Sequence, residues 1–520
     1  MRLGNTLKNR PLRTGCYIAV LVGAACAQTP ADTGTLERAR SGAGDIRALL
    51  LKSDLEFITA EELHGRGAPS TGLDLTAKFL ATRLLHAGLK PAGERETCFQ
   101  TIALDDVQVI PQETTAEVAG RIFPYGRDFV LGSPIGTAAN GGVAYAGDGW
   151  FIKAEGHDPY QSLNVKDKFV IVASAEPPND LLRGKYGEDW AKPADAARAR
   201  GAKGIIYMSG MPRVWTADHK IGVAAPAEPG SVPFLEIMAS RELLDALFDK
   251  EALAAAEILA GLPKNPRDAW KTGGPLLNGF GFNANKNLRL HVGIRSAHPN
   301  TRNVIVLLEG SDPELKREYV VLGAHYDALP EDDGPAHEAH PGADDNGSGA
   351  VALLAIAEAM VKAPKPRRSI LFIWHTGEEE LGWGSRYFTE HPTVPLNRIV
   401  AFINMDMIGR TQNPGDPPQQ LPRVLSGPDE VEANGSANLV EVTRNVNMSY
   451  LGMRIVSRKH WGGSDHEVYR AKGLPVLWIT TGDHAEMHTA GDTADRIDYD
   501  KMERIARTIY ATGRYLADAR

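Results

Sequence analysis

The 520-residue sequence predicts an α/β fold: a mostly parallel central sheet sandwiched by helices, with a β-rich unit inserted ahead of its second half. Three observations carry that prediction. From about residue 280 onward, apolar runs of strand length alternate with stretches of helical periodicity, as in buried parallel strands joined by helical crossovers. Between about 125 and 265 the pattern changes to short strands and turns. The chain is also too long for one small core, so two or three structural units are expected.

The N-terminus reads as an export signal. Arg2, Lys8, Arg10 and Arg13 form a basic region, Tyr17 to Ala25 an apolar one, and Ala25-Cys26-Ala27 a small-residue cleavage site before Gln28. The apolar run is well short of the ~20 residues needed to span a bilayer. Lipid anchoring at Cys26 ranks second, because Gly23 stands where a leucine is usual. Removing residues 1–27 leaves Cys98 alone, so no internal disulfide is expected, even in an oxidising compartment. No later stretch reads as transmembrane.

Residues 28–124 are expected to form the N-terminal part of a catalytic domain. Ala77, Leu80 and Leu84 recur at helical spacing, and Gly88 stops that helix. In the unit expected over 125–265, 168–172 and 204–208 read as buried strands, with an alanine-rich helix over 194–200 ending at Gly201. From 266 to 520, strands are expected over 319–324, 369–374, 399–404 and 474–480. A helix begins near Asn346, with Leu353, Ile356, Ala357 and Met360 on one face, and a last one runs over about 499–516. A formal charge of −8, with no Lys/Arg-rich run in the body of the chain, excludes a nucleic-acid surface.

Ligands of open α/β sheets bind at the carboxyl ends of the strands. Here four strand ends deliver metal-type side chains: His325-Tyr326-Asp327, Glu378-Glu379-Glu380, Met405-Asp406-Met407, and a loop with Asp483, His484, Glu486 and His488. Singly, each has a plainer reading: a surface His-Asp pair, a solvated acidic turn, an acid paired to Arg410. Four together point to a metal site. Adjacent Glu378 and Glu379 can serve two tasks only if a turn splays them apart, which Gly377 and Gly384 permit.

The third stretch resembles the dizinc peptidase family of bacterial leucyl aminopeptidases and glutamate carboxypeptidase. The segments are GAHYD (323–327), GADDNGSG (342–349), TGEEELGWGSRYF (376–388), NMDMIG (404–409), SDH (464–466) and HTAGDTAD (488–495). The middle unit resembles the protease-associated domain inserted in a subgroup. The resemblance implies two Zn²⁺, with His325 and Asp406 on one, Glu379 and His488 on the other, and Asp345 bridging. Asp344 is the alternative bridge; counting back from Gly347 favours Asp345. Glu378 matches the general base, acting on a water shared by the metals, and Asp327 the partner that fixes the tautomer of His325. The implied activity is that of a secreted or periplasmic exopeptidase, an aminopeptidase first, acting on peptides. A carboxypeptidase or dipeptidase is the alternative within the family, and an inactive binding module the alternative outside it. Cyclisation of N-terminal glutamine, the work of a one-zinc relative, is disfavoured by the complete ligand set.

One departure stands out. Relatives often carry a tyrosine before the last metal histidine, where it can stabilise an oxyanion; Met487 occupies that place and cannot donate. His466 and His484 are the candidate substitutes. His337 and His340 read as loop histidines, and His375 fits no ligand position.

Overall fold

The computed structural model describes residues 33–173, 189–209, 218–224, 233–261, 279–283, 286–330, 339–413, 424–448, 451–458 and 462–519. The expected export segment and His337 lie outside the described residues. Among the described residues no helix is long and apolar enough to cross a membrane.

Four parallel strands form the middle of the central sheet: Ser369–His375, Tyr319–His325, Ile399–Met405 and Val476–Thr480, side by side in that order. They match the expected strands, with the last beginning two residues later than anticipated. Antiparallel strands extend the sheet on both flanks, Asn300–Leu308 and Phe99–Val109 on one side and Glu430–Gly435 on the other. The sheet is therefore mixed, with its parallel part where the ligand-bearing strands lie.

Helices cover both faces. Val320, Leu322 and Ala324 share a core with Leu353, Ile356 and Met360 of helix Gly349–Lys362 and with Ile505 and Ile509 of Tyr499–Asp518. The alternate residue Val321 joins Leu371, Ile373 and Phe402 on the opposite face, against Phe388 and Tyr469. Burial on both faces is why these strands read as continuous apolar runs rather than as alternating ones. The N-terminal helix Thr71–Ala87 is capped by Ser70, buries Leu73, Ala77, Leu80 and Leu84, and ends where Gly88 turns left-handed.

From Tyr319–His325 the chain crosses to Ser369–His375 on one side, then back to Ile399–Met405 on the other. That reversal is a topological switch point, and it opens at the carboxyl ends of the strands.

A second, nine-stranded sheet has its own core. It holds Phe169–Val172 and Gly204–Tyr207, with helix Pro193–Ala199 between them in sequence. Its strands come from a wider span than 125–265: Thr115–Val118, Arg121–Pro124, Phe280–Gly281 and Asn287–Val292 also belong to it. Conversely, His219–Val223 leaves the unit and pairs with Phe99–Val109 at the edge of the central sheet.

Gly384 is the second residue of helix Trp383–Glu390 beneath the Glu378 turn, where an added Cβ would lie 2.3 Å from Asn303 Oδ1 and 2.6 Å from the backbone of Thr376. Backbone cannot yield as a flexible side chain can. Gly384→Ala is therefore expected to lose about 1–3 kcal/mol of stability, read as a lower urea midpoint at unchanged slope.

Candidate metal centre

His325 ends its strand, Asp406 follows directly on Ile399–Met405, and both are buried. Their atoms meet at the switch point, with His325 Nε2 3.4 Å from Asp406 Oδ1 and 3.4 Å from Asp345 Oδ1. The other oxygen of Asp345 lies 3.0 Å from His488 Nε2, which is 3.1 Å from Glu379 Oε2. The expected ligands thus gather into two groups, His325–Asp345–Asp406 and Asp345–Glu379–His488, with Asp345 common to both.

The donor set fits zinc. Imidazole nitrogens and carboxylate oxygens bind it at about 2.0–2.2 Å, so neighbouring tetrahedral ligands lie about 3.3–3.6 Å apart, close to the spacings above. Both ring nitrogens of His325, Asp406 Oδ1 and Glu379 Oε1 are buried without a hydrogen-bond partner. Buried polar atoms are rarely left so: a cation in each group would satisfy His325 Nε2 and Asp406 in one and Glu379 in the other, while His325 Nδ1 faces Asp327.

Local structure explains how each carboxylate is aimed. After His375, Gly377 takes a left-handed conformation, and Gly382 N donates to Glu378 O at 2.9 Å, closing a tight turn. Glu378 is thereby turned to the His325 side, its Oε2 3.9 Å from His325 Nε2, while Glu379 faces His488. Gly384, expected to help through backbone freedom, is helical instead and serves by close packing.

Asp345 is held by backbone contacts. The Asp492 carboxylate accepts from Asp344 N and Asp345 N, both at 3.0 Å. The Asn346 side chain donates to Met405 O at 2.8 Å and accepts from Met407 N at 3.3 Å, stitching the loop to the Asp406 strand. Asp344 points elsewhere: its Oδ1 accepts from Gly409 N at 2.6 Å, and its Oδ2 lies 3.4 Å from His484 Nε2.

Behind the centre, Asp327 Oδ1 is 3.5 Å from His325 Nδ1, and its Oδ2 accepts from Glu379 N at 3.3 Å. Asp327, expected to fix the tautomer of His325, lies against both His325 and the backbone of Glu379. Arg66 was missed altogether. It is fully buried and donates to the carbonyls of Tyr326, Ile58, Pro341 and Gly342 at 2.6–2.9 Å. A lone arginine on a glycine-flanked loop reads as solvated, so its pattern gave no signal. Asp492 was within reach, since it lies in the HTAGDTAD segment.

The electrostatics follow from crowding. Burial pushes the Glu378 carboxyl well above its ordinary value, and Asp406, Asp465 and Glu379 push the same way against His325. Burial, then Asp345, lifts Glu379 to about 7. Hydrogen bonds to Asp345 and Glu379 raise His488 to about 10. Burial alone would lower His325, but facing Asp406 and Glu378 hold it well above the usual imidazole range.

Both histidines considered for the oxyanion are buried. His466 stacks on Trp478 at 4.7 Å, and His484 is enclosed by Asp344, Glu486 and Arg410. Arg410 pairs with Glu486, not with Asp406. His375 contacts Asp465 at 3.3 Å and Tyr469 at 2.9 Å.

Residues 303–513 match the family model of Peptidase family M28. This segment is similar to that family. All of the gathered side chains lie within it, and Arg66 lies outside it. A probable leucine aminopeptidase of Trichophyton verrucosum is 27% identical over 217 residues, covering 40% of this chain and 54% of the relative. One from Arthroderma benhamiae is also 27% identical over 217 residues, covering 40% and 56%. The chain thus spans about half the length of these curated relatives. An aminopeptidase from Aneurinibacillus sp. strain AM-1 superposes with a TM-score of 0.51 at 16% identity, covering 92% of this chain and 96% of that one. This likeness establishes a shared α/β fold.

The shared carboxylate makes a specific prediction. Asp345→Asn is expected to lose both metals together, whereas Asp406→Asn disrupts one group and retains the other metal, as elemental analysis of the dialysed proteins would show.

Proposed function

We propose that the chain is a secreted two-zinc aminopeptidase that hydrolyses N-terminal peptide bonds. The observation that carries this reading is Asp345 shared between two ligand groups, with Glu378 beside them at the strand ends. His325, Asp345 and Asp406 would hold one zinc, and Asp345, Glu379 and His488 the other. When bound, the pair supplies Lewis-acid polarisation of the scissile carbonyl and acidifies the attacking water.

The chain's own residues do the rest. Glu378 takes the proton from the attacking water and delivers it to the departing amine, a task suited to a carboxyl lifted by burial. Asp327 fixes His325, and Asp492 fixes the backbone of Asp345. The pocket beside the centre is lined by Asp345, Glu379 and Asp492 together with Ala328 and Leu329. No lysine or arginine is among its described lining residues. The likeness of this chain to probable leucine aminopeptidases favours the aminopeptidase within the family.

The export segment supports a location outside the cytoplasm. The separately cored middle unit, with its resemblance to protease-associated domains, suits a cap that limits the cleft to short peptides.

Glu378→Gln is expected to lower kcat by about 10²–10⁴-fold while both metals stay bound, since the base is no ligand. In a panel of aminoacyl amides and acyl-dipeptides, only substrates with a free amine should be cleaved, and a chelator should abolish that cleavage. Cleavage of acyl-dipeptides alone would overturn the aminopeptidase reading. Wild-type activity in Glu378→Gln would overturn the mechanism.

A further inference from the structure

Of the five side chains in the two ligand groups, His488 is the most exposed. His325 and Asp406 stand at the ends of strands buried on both faces, whereas His488 sits on a loop well beyond the end of Val476–Thr480. Its side chain is 45% exposed, and its φ of 60° lies in the left-handed region. That conformation costs a non-glycine residue about 1–2 kcal/mol and persists only where neighbouring contacts impose it.

Glu486 imposes it in two ways. Its carbonyl oxygen accepts from Thr489 N at 3.1 Å and from Thr489 Oγ1 at 2.8 Å, closing a turn with His488 at a place that favours glycine or asparagine. Its carboxylate is divided between two arginines: Oε2 accepts from Arg410 Nη2 at 2.8 Å, and Oε1 from Arg496 Nη1 at 2.6 Å. Arg410 follows the Asp406 segment, and Arg496 ends the helical turn Ala494–Arg496 beyond His488. Glu486 thus ties the chain before His488 to the chain after it, and both to the exit of the Asp406 strand.

An ion pair in open water would add little. This one is largely enclosed: the Arg410 side chain is 12% exposed, and its Nη1 meets Nδ1 of the buried His484 at 3.2 Å. His484 Nε2 lies 3.4 Å from Asp344 Oδ2 and 3.8 Å from Oδ1 of Asp492, whose carboxylate accepts from Asp345 N. The clamp therefore reaches His488 through one backbone turn, and the bridging loop through one imidazole.

We infer that Glu486 is a positioning residue for the second metal: held by Arg410 and Arg496, it sets the turn that aims His488 Nε2 at Asp345 and Glu379. This rests on the two-zinc reading above and adds to it a dependence of one zinc on residues that bind neither.

The test is zinc retention by the full chain, dialysed against buffers of graded free zinc and assayed by elemental analysis. In Glu486→Ala, holding the second zinc should require about 10–100-fold more free zinc than in the wild type, with the first shifted by less than about threefold. Adding Asp406→Asn to Glu486→Ala should leave no zinc at concentrations where Glu486→Ala keeps one. Glu486→Gln, which keeps an acceptor oxygen, should recover part of the affinity. Arg496→Ala, which removes one half-exposed donor, should shift the same zinc by less, and it carries the test if Glu486→Ala does not fold. Peptidase activity lost by Glu486→Ala at low zinc should return as zinc is raised. Wild-type retention of the second zinc in both alanine variants, even with a lower urea midpoint, would overturn the assignment and leave the two-zinc reading standing. Equal loss of both zincs would do the same. A wild-type chain that never retains two zincs would overturn both.

Discussion

The centre turns on the placement of one carboxylate, Asp345, between the imidazoles of His325 and His488. Around it stand Asp406, Glu378, Glu379 and Asp327, with Asp344 and Asp492 one layer further out. Two like charges about 4 Å apart repel by about 4 kcal/mol at an effective dielectric constant near 20. A cluster of this density persists only if cations and N–H donors are supplied in fixed places. Two histidines, the backbone N–H groups of Asp344, Asp345, Glu379 and Gly409, and the charge of the buried Arg66 supply them. Arg66 is itself lowered to about 10, burial outweighing the pull of Asp327, Asp492, Asp345 and Glu379. It therefore stays charged at neutral pH, a permanent counter-ion from a segment far from the ligands in sequence.

The sheet decides why these groups meet. With Tyr319–His325 in the middle and its crossovers leaving to opposite sides, the loops after its strand and after Ile399–Met405 diverge and open a crevice. His325 and Asp406 are placed by strands buried on both faces, so their positions inherit the rigidity of the core. Asp345 lacks that support, being in a loop. The loop accordingly carries a dense set of backbone contacts, from Asp492, Asn346 and Arg66.

Much of this was legible in the residues. The four parallel strands announced themselves because burial on both faces makes them apolar throughout, and ligands at strand ends follow from the rule for open sheets. The choice between Asp344 and Asp345 was not legible from pattern, since both are acids in one short loop. It is made by tertiary contacts, which turn Asp344 to Gly409 and His484. The span of the second sheet was equally hidden. Thr115–Val118 pairs with Asn287–Val292, and no local periodicity reports a partner so distant in sequence. Arg66 was invisible for a related reason: its four acceptors are backbone carbonyls, which every sequence has everywhere.

The division between Glu378 and Glu379 shows how far such tertiary support extends. Neighbouring carboxylates point apart only while the turn is held, and it is held from below by Trp383, whose ring would meet a Cβ on Gly377 at 2.8 Å. Trp383 packs in turn with Ile102 and Leu104, and Ile221 of the edge strand His219–Val223 rests on the same cluster. That strand comes from the middle of the chain yet completes the edge of the central sheet. The middle stretch is therefore more than an appendage beside the site, because one of its strands packs against the cluster that contains Trp383, behind the Glu378 turn. A change in its seating would reach Glu378 through Ile221 and Trp383 without touching a ligand, since packed side chains transmit displacement where loose ones absorb it.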